Sequence, residues 1–170
     1  LWTNDNFGAD LVIAPRGGAI YYWLAASGTG TRAQSLQTLS TSAGYSGTYV
    51  PNTTYQIVSS AIQRFVIAIG ANSYDPADAN TAFDPMIIRW SDQENAYDWV
   101  PSVTNQSGEQ RLTIGSEIIQ AVNTRQEFVV FTDAAVYSMQ YLGPPYVFGF
   151  QLLQDNISIM SPRAAITINN

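Results

Sequence analysis

Apolar and polar positions along this chain either alternate strictly or form unbroken apolar runs of four to six residues, and both patterns predict β-strands. In "DLVIAPRGGAIYYW" (10–23), the runs Leu11 to Ala14 and Ala19 to Trp23 flank "PRGG". There Pro fixes one φ and the two Gly admit positive φ, which predicts a hairpin with a short turn. "EFVVFTDAAVYSMQ" (127–140) has the same layout around "TDA". A third copy reads "RFVIAIG" (64–70) and "PMIIRW" (85–90), with "ANSYDPADANTAFD" expanding the turn between them. The copies start at Leu11, Phe65 and Phe128, 54 and 63 residues apart. Without the expanded turn the period is about 50 residues, that of a four-stranded propeller blade. Helix-period stripes are confined to "TRAQSLQTLSTSA", a helical turn or polar connection, and a brief "GSEIIQAVNT".

The expected fold is all-β: part of a β-propeller with about three blades' worth of hairpins, forming a single region over 1–170 without an internal boundary. A β-sandwich is the competing arrangement. In the propeller the continuous apolar strands are buried between neighbouring blades. The expected blade core is Ile20, Tyr22, Trp23, Phe65, Ile67, Ile88, Trp90, Trp99, Phe128, Val130 and Tyr137. The chain opens and closes in mid-pattern and reads as a fragment of something longer. Such a piece exposes sheet faces and strand edges, which predicts poor solubility in isolation.

Composition narrows the function more than the fold. There is no Cys, hence no disulfide framework or thiolate metal site, and no His, which removes the usual general base and the commonest metal ligand. All seven basic residues are Arg, scattered singly, against thirteen acids, for a net charge of -6. A phosphate-gripping surface would cluster basic residues, so tight nucleic-acid binding is not expected, whereas a wall that repels DNA is compatible. No apolar stretch reaches the length of a membrane span.

Three stretches carry candidate chemistry. "RWSDQENAYDW" (89–99) sets Asp92, Glu94 and Asp98 between two Trp, as a carboxylate pair for calcium or glycosidic chemistry or, more simply, as a turn locked by Asp92 and Asn95. "SYDPADANTAFD" (73–84) is long enough to contact a partner, but lacks the ligand spacing and Gly of a calcium loop. In "YLGPPYVFGFQLL" (141–153), alternation places Tyr146, Phe148 and Phe150 on one strand face, either core-facing or a platform for sugar, nucleic acid or a subunit. No Ser or Thr has the His or Lys partner of a nucleophile constellation and no phosphate-binding loop is present, so an enzymatic reading rests on carboxylates alone.

Together, "NFGADLVIAPRGGAIYYW", "MIIRWSDQENAYDW", "FTDAAVYSMQYLGPPYVFGFQLL" and "NISIMSPRAAITINN" resemble the tail nozzle proteins of short-tailed bacteriophages, also called tail tubular protein B or packaged-DNA stabilisation proteins. The resemblance covers most of the chain and is weakest over 28–60. It implies a non-enzymatic virion protein of the phage tail, without cofactor or metal. It further implies a propeller-bearing subunit of a sixfold ring below portal and adaptor, which contacts other tail proteins such as a fibre or needle and, transiently, the DNA leaving the capsid. On that reading "SPRAAITINN" begins another blade hairpin, and Tyr146, Phe148, Phe150, Tyr74 and Phe83 are the candidate subunit contacts. The alternative is a carbohydrate-binding or carbohydrate-active propeller centred on the 92–99 acids. A surface adhesin or prophage remnant without a conduit role is a third.

Overall fold

The computed structural model describes residues 1–168. They form three four-stranded antiparallel sheets, each a simple up-and-down meander. The first contains β1 (Trp2–Phe7), β2 (Asp10–Pro15), β3 (Tyr21–Trp23) and β4 (Gln34–Ser35). The second contains β5 (Thr54–Ser59), β6 (Val66–Asn72), β7 (Phe83–Trp90) and β8 (Gly108–Arg111). The third contains β9 (Ile118–Asn123), β10 (Phe128–Thr132), β11 (Ala135–Gly143) and β12 (Val147–Asp155). The helical pieces among the described residues are a short α1 (Leu36–Ser42) and two single 3₁₀ turns, Ala25–Ser27 and Gly47–Tyr49, all between β3 and β5. The chain is thus all-β, and the three predicted hairpins are β2–β3, β6–β7 and β10–β11. It packs as two compact units, Leu1–Arg111 with the first two sheets and Leu112 onward with the third.

In the first unit, strand parity decides what is buried. The register Asp5↔Val12↔Tyr22 puts Val12, Ala14 and Tyr22 on one face of the first sheet. That face joins Ile57, Val66, Ala68 and Ile87 of the second sheet in one core, together with Leu36, Val50 and Trp99. Ile20, just before β3, is buried there too. Trp23 was expected in this core but is only half-buried, because it follows Tyr22 directly and must point to the opposite face. Strand β6 is buried along its whole length. Phe65, Ile67, Ile88 and Trp90 are accordingly inaccessible, as continuous apolar strands require.

Side chains rather than a further strand close the joint between these sheets. The backbone N–H groups of Ile57 and Ser59, on the edge strand β5, donate to Thr3 Oγ1 (3.0 Å) and Asp5 Oδ2 (2.7 Å) of β1. An isolated bridge between Gly18 and Thr54 continues the contact, in which Thr54 N–H donates to the Gly18 carbonyl and Gly17 N–H to the Thr54 carbonyl. An edge strand is covered in this way without becoming a ladder. Along β6 the register slips between Ile69 and Ala71. Gly70 takes φ +64° there, and the Tyr55 ring lies where a Cβ would project.

In the second unit, Phe128, Val130, Tyr137 and Met139 share a buried face of the third sheet through the registers Phe128↔Met139 and Val130↔Tyr137. "GSEIIQAVNT" is strand β9 and not a helical turn. Its Ile118 and Ala121 stand at helical spacing only because a bulge against Phe131 and Thr132 shifts the pairing by one residue. "TRAQSLQTLSTSA" does supply the short α1.

Candidate functional site

The acidic stretch after β7 folds into a locked turn. Asp92 Oδ1 accepts the backbone N–H groups of Gln93 and Gln106, both at 2.8 Å, and Asp92 N–H donates to the Asp98 carbonyl at 2.8 Å. Asp98 accepts from Val100 N–H (3.2 Å) and from Asn105 Nδ2 (2.9 Å), while Asn95 Oδ1 accepts Tyr97 N–H. Glu94 is exposed at φ +58°, its N–H bonded to the Arg64 carbonyl. Asp92, Gln93, Glu94, Thr104, Asn105 and Gln106 line a shallow polar hollow. Asp92 and Asp98 therefore spend their lone pairs on backbone and amide donors, as in an Asx-turn. Among the described residues no three acids gather as a cation site.

The expanded loop between β6 and β7 is pinned from several sides. Asp75 and Asp78 each accept a backbone N–H two residues on, from Ala77 and Asn80. Tyr74 packs on Tyr49 with ring centroids 5.2 Å apart, and Tyr49 Oη donates to the Pro76 carbonyl. Phe83 packs on Tyr55 (4.8 Å), and the Arg16 guanidinium also lies over that ring, 3.9 Å from its centroid. Asp84 receives Arg111 Nε at 2.7 Å. Tyr74 and Phe83 are thus half-buried members of the first unit's own packing.

The three rings expected on one face of the last strand do not line up. Tyr146 precedes β12 in the turn after the cis Pro144–Pro145 bond and is 77% exposed. Val147, at φ +62°, breaks the alternation. Phe148 is buried against Tyr141, with centroids 5.8 Å apart, and Phe150 is half-buried. Of the five candidate contacts, only Tyr146 is broadly accessible.

Four polar features were not singled out from the sequence. Arg89, in the middle of β7, is 1% exposed. Its guanidinium donates to the carbonyls of Asn72 (3.1 Å), Tyr49 (2.8 Å) and Trp99 (3.0 Å), with the Glu109 carboxylate 3.8 Å away. Burial lowers its pKa to about 10, against the pull of Glu109. A single Arg inside the apolar run "PMIIRW" was the available signal. Asp10 accepts Tyr22 Oη–H (2.8 Å) and Ala25 N–H (2.9 Å). Burial, and then this bond, push the Tyr22 hydroxyl well above its ordinary value. In the second unit, Glu127 receives the Ser138 hydroxyl and Gln140 Nε2, and Asp133 receives the Ser116 hydroxyl and N–H. These bonds hold both carboxyls below the usual range. Each of these groups fastens one segment to another. No family model matches the chain and no curated protein matches it, and among the described residues no helix is long and apolar enough to cross a membrane.

Proposed function

We propose that this chain is a β-propeller segment of a phage tail nozzle, a non-enzymatic conduit wall in the virion. The observation that carries the reading is the threefold recurrence of an antiparallel meander of four strands, in order along the chain. This is the unit that the sequence resemblance to short-tailed phage nozzles calls for. The polar side chains agree with a structural role, since Asp92, Asp98, Arg89 and Asp10 are each committed to bonds that hold turns and strands. A net charge of -6 with no Lys suits a wall past which a polyanion slides, because few counterions are released by contact. As a nozzle subunit it assembles into a sixfold ring through heterologous, closing interfaces. The deciding experiment is native mass measurement and electron microscopy of the protein isolated from its source. A sixfold ring with a central channel, present in purified tails, is the expected result. A monomer absent from tails refutes it.

The carbohydrate-binding alternative rests on the polar hollow beside Glu94. It requires saturable oligosaccharide binding that is lost in Glu94→Ala, at the exposed rim of the hollow.

A further inference from the structure

The first sheet has two apolar faces, and only one is covered by the second sheet. The pairings Asn4↔Ile13↔Tyr21 and Asn6↔Leu11↔Trp23, with Trp2↔Pro15 beside them, put Trp2, Leu11, Ile13, Tyr21 and Trp23 together on the outward face. Trp2 is 57% and Tyr21 36% exposed, whereas Val12 and Ala14 on the inward face are wholly buried. The outward face carries no charged residue, and its polar members are Asn4, Asn6 and Ser35. A contiguous aromatic and aliphatic surface of this kind marks an interaction site.

The repeat indicates what covers it. Along the chain each sheet has an upstream and a downstream face. The downstream face of the first sheet (Val12, Ala14, Tyr22) receives the upstream face of the second (Val66, Ala68, Ile87). In the second sheet, the upstream face and the opposite one (Ile67, Ile69, Ile88) are both buried. The outward face of the first sheet is the upstream face of its repeat, the counterpart of Val66, Ala68 and Ile87. We infer that this face is the docking site for a further four-stranded antiparallel sheet of the same repeat, which packs on it as the first sheet packs on the second. The occupant presents small and branched apolar side chains, as Val12 and Ala14 do. Its first strand carries a hydroxyl and a carboxylate two residues apart, the counterparts of Thr3 and Asp5, directed at the unpaired edge of β1. The absence of charge on the face disfavours a polyanion. The Trp23 indole N–H, already bonded to the Thr31 carbonyl at 2.9 Å, is not directed at a ligand.

The inference deepens the propeller reading by naming the partner of one face, and it can fail independently of the tail assignment. The test is photo-cross-linking from position 21, with Tyr21→p-benzoylphenylalanine in the protein as made by its own cells, and the same substitution at Tyr45, exposed in the segment after α1 and outside the sheet, as the control. Expected is a cross-linked peptide with the alternating apolar pattern of a repeat strand from position 21 and none from position 45. A cross-link to a helical or polar segment, to residues 1–168 of a second copy, or only solvent adducts would overturn the inference. Cross-linking to such a strand in a protein absent from tails keeps this inference and removes the nozzle reading.

Discussion

Replacing Arg89 by Met keeps most of the side-chain volume and removes every donor. The carbonyls of Asn72 and Trp99 then stay buried without their hydrogen bonds, at a cost of roughly 1–3 kcal/mol each. The Tyr49 carbonyl is only part-buried and recovers water. Relief of a confined cation works the other way, since burial brings Arg89 down from its ordinary value to about 10 and so disfavours its charged form. Below about pH 10 the folded protein carries that penalty, which lifts only as pH rises toward the unfolded value, so at neutral pH the bonds oppose it directly. We expect a net loss of about 1–2 kcal/mol, because relief of the confined cation, worth roughly 3 kcal/mol, offsets part of the roughly 2–6 kcal/mol lost at the two carbonyls. For a unit of this size the melting temperature falls by roughly 5 °C. The assay is urea unfolding followed by tryptophan fluorescence, which reports the first unit alone because Trp2, Trp23, Trp90 and Trp99 all lie within it. Arg89→Lys, with one ammonium for three diverging carbonyls, falls between the two. An Arg89→Met protein as stable as the parent would refute the reasoning. It would show that the three segments hold their places without the guanidinium.

Asp5→Ala removes the acceptor of the Ser59 amide and should cost about 1–2 kcal/mol, with Thr3→Val costing less. Hydrogen exchange at Ser59 accelerates in the first variant and at Ile57 in the second, and unchanged protection at both would show that the joint does not depend on these side chains. In the second unit, hydrogen bonds from Ser138 and then Gln140 depress Glu127, and those from Ser116 depress Asp133. A depressed carboxyl adds stability in full above its unfolded pKa and loses it as pH falls through the lowered folded value. The unfolding midpoint of this unit should therefore be flat near neutrality and decline below the ordinary carboxylate range, about pH 4, with a shallower decline in Glu127→Gln. NMR of Tyr137 and Tyr141 against urea at several pH values reads this out, and an identical slope in the variant contradicts the assignment.

How much of this was legible in the sequence depends on the range of the interaction concerned. Hairpins are local, and "LVIAPRGG", "VIAIG" and "FVVFTDAA" announce strands and turns within a few residues of themselves. Ten of the eleven expected core residues, from Ile20 to Tyr137, are buried for the same reason. Trp23 departs because composition cannot tell which of two adjacent aromatic residues faces inward, and only the register with Val12 settles it in favour of Tyr22. Tyr146, Phe148 and Phe150 looked collinear, but the positive φ at Val147 interrupts their strand. The roles of Asp92 and Asp98 depended on Gln106 and Asn105, residues whose approach no spacing rule predicts.

The least legible feature is also the one that recurs. Thr3 and Asp5 are 54 residues from the amides they cap, and nothing in "WTNDNF" marks them as sheet-joining residues. In the second unit, Gln120 of β9 holds the Ala165 N–H and carbonyl with both ends of its amide, at 3.2 and 2.9 Å across 45 residues. In each case a polar side chain on the first strand of a sheet grips the backbone of a later segment. The partner in the first unit is β5, the first strand of the next sheet. The gripped segment around Ala165 is not a strand, and Ile166 and Ile168 are exposed beside it. In the first unit the joint between the two sheets is a side-chain clasp, which satisfies an edge strand's amides while leaving its sheet at four strands.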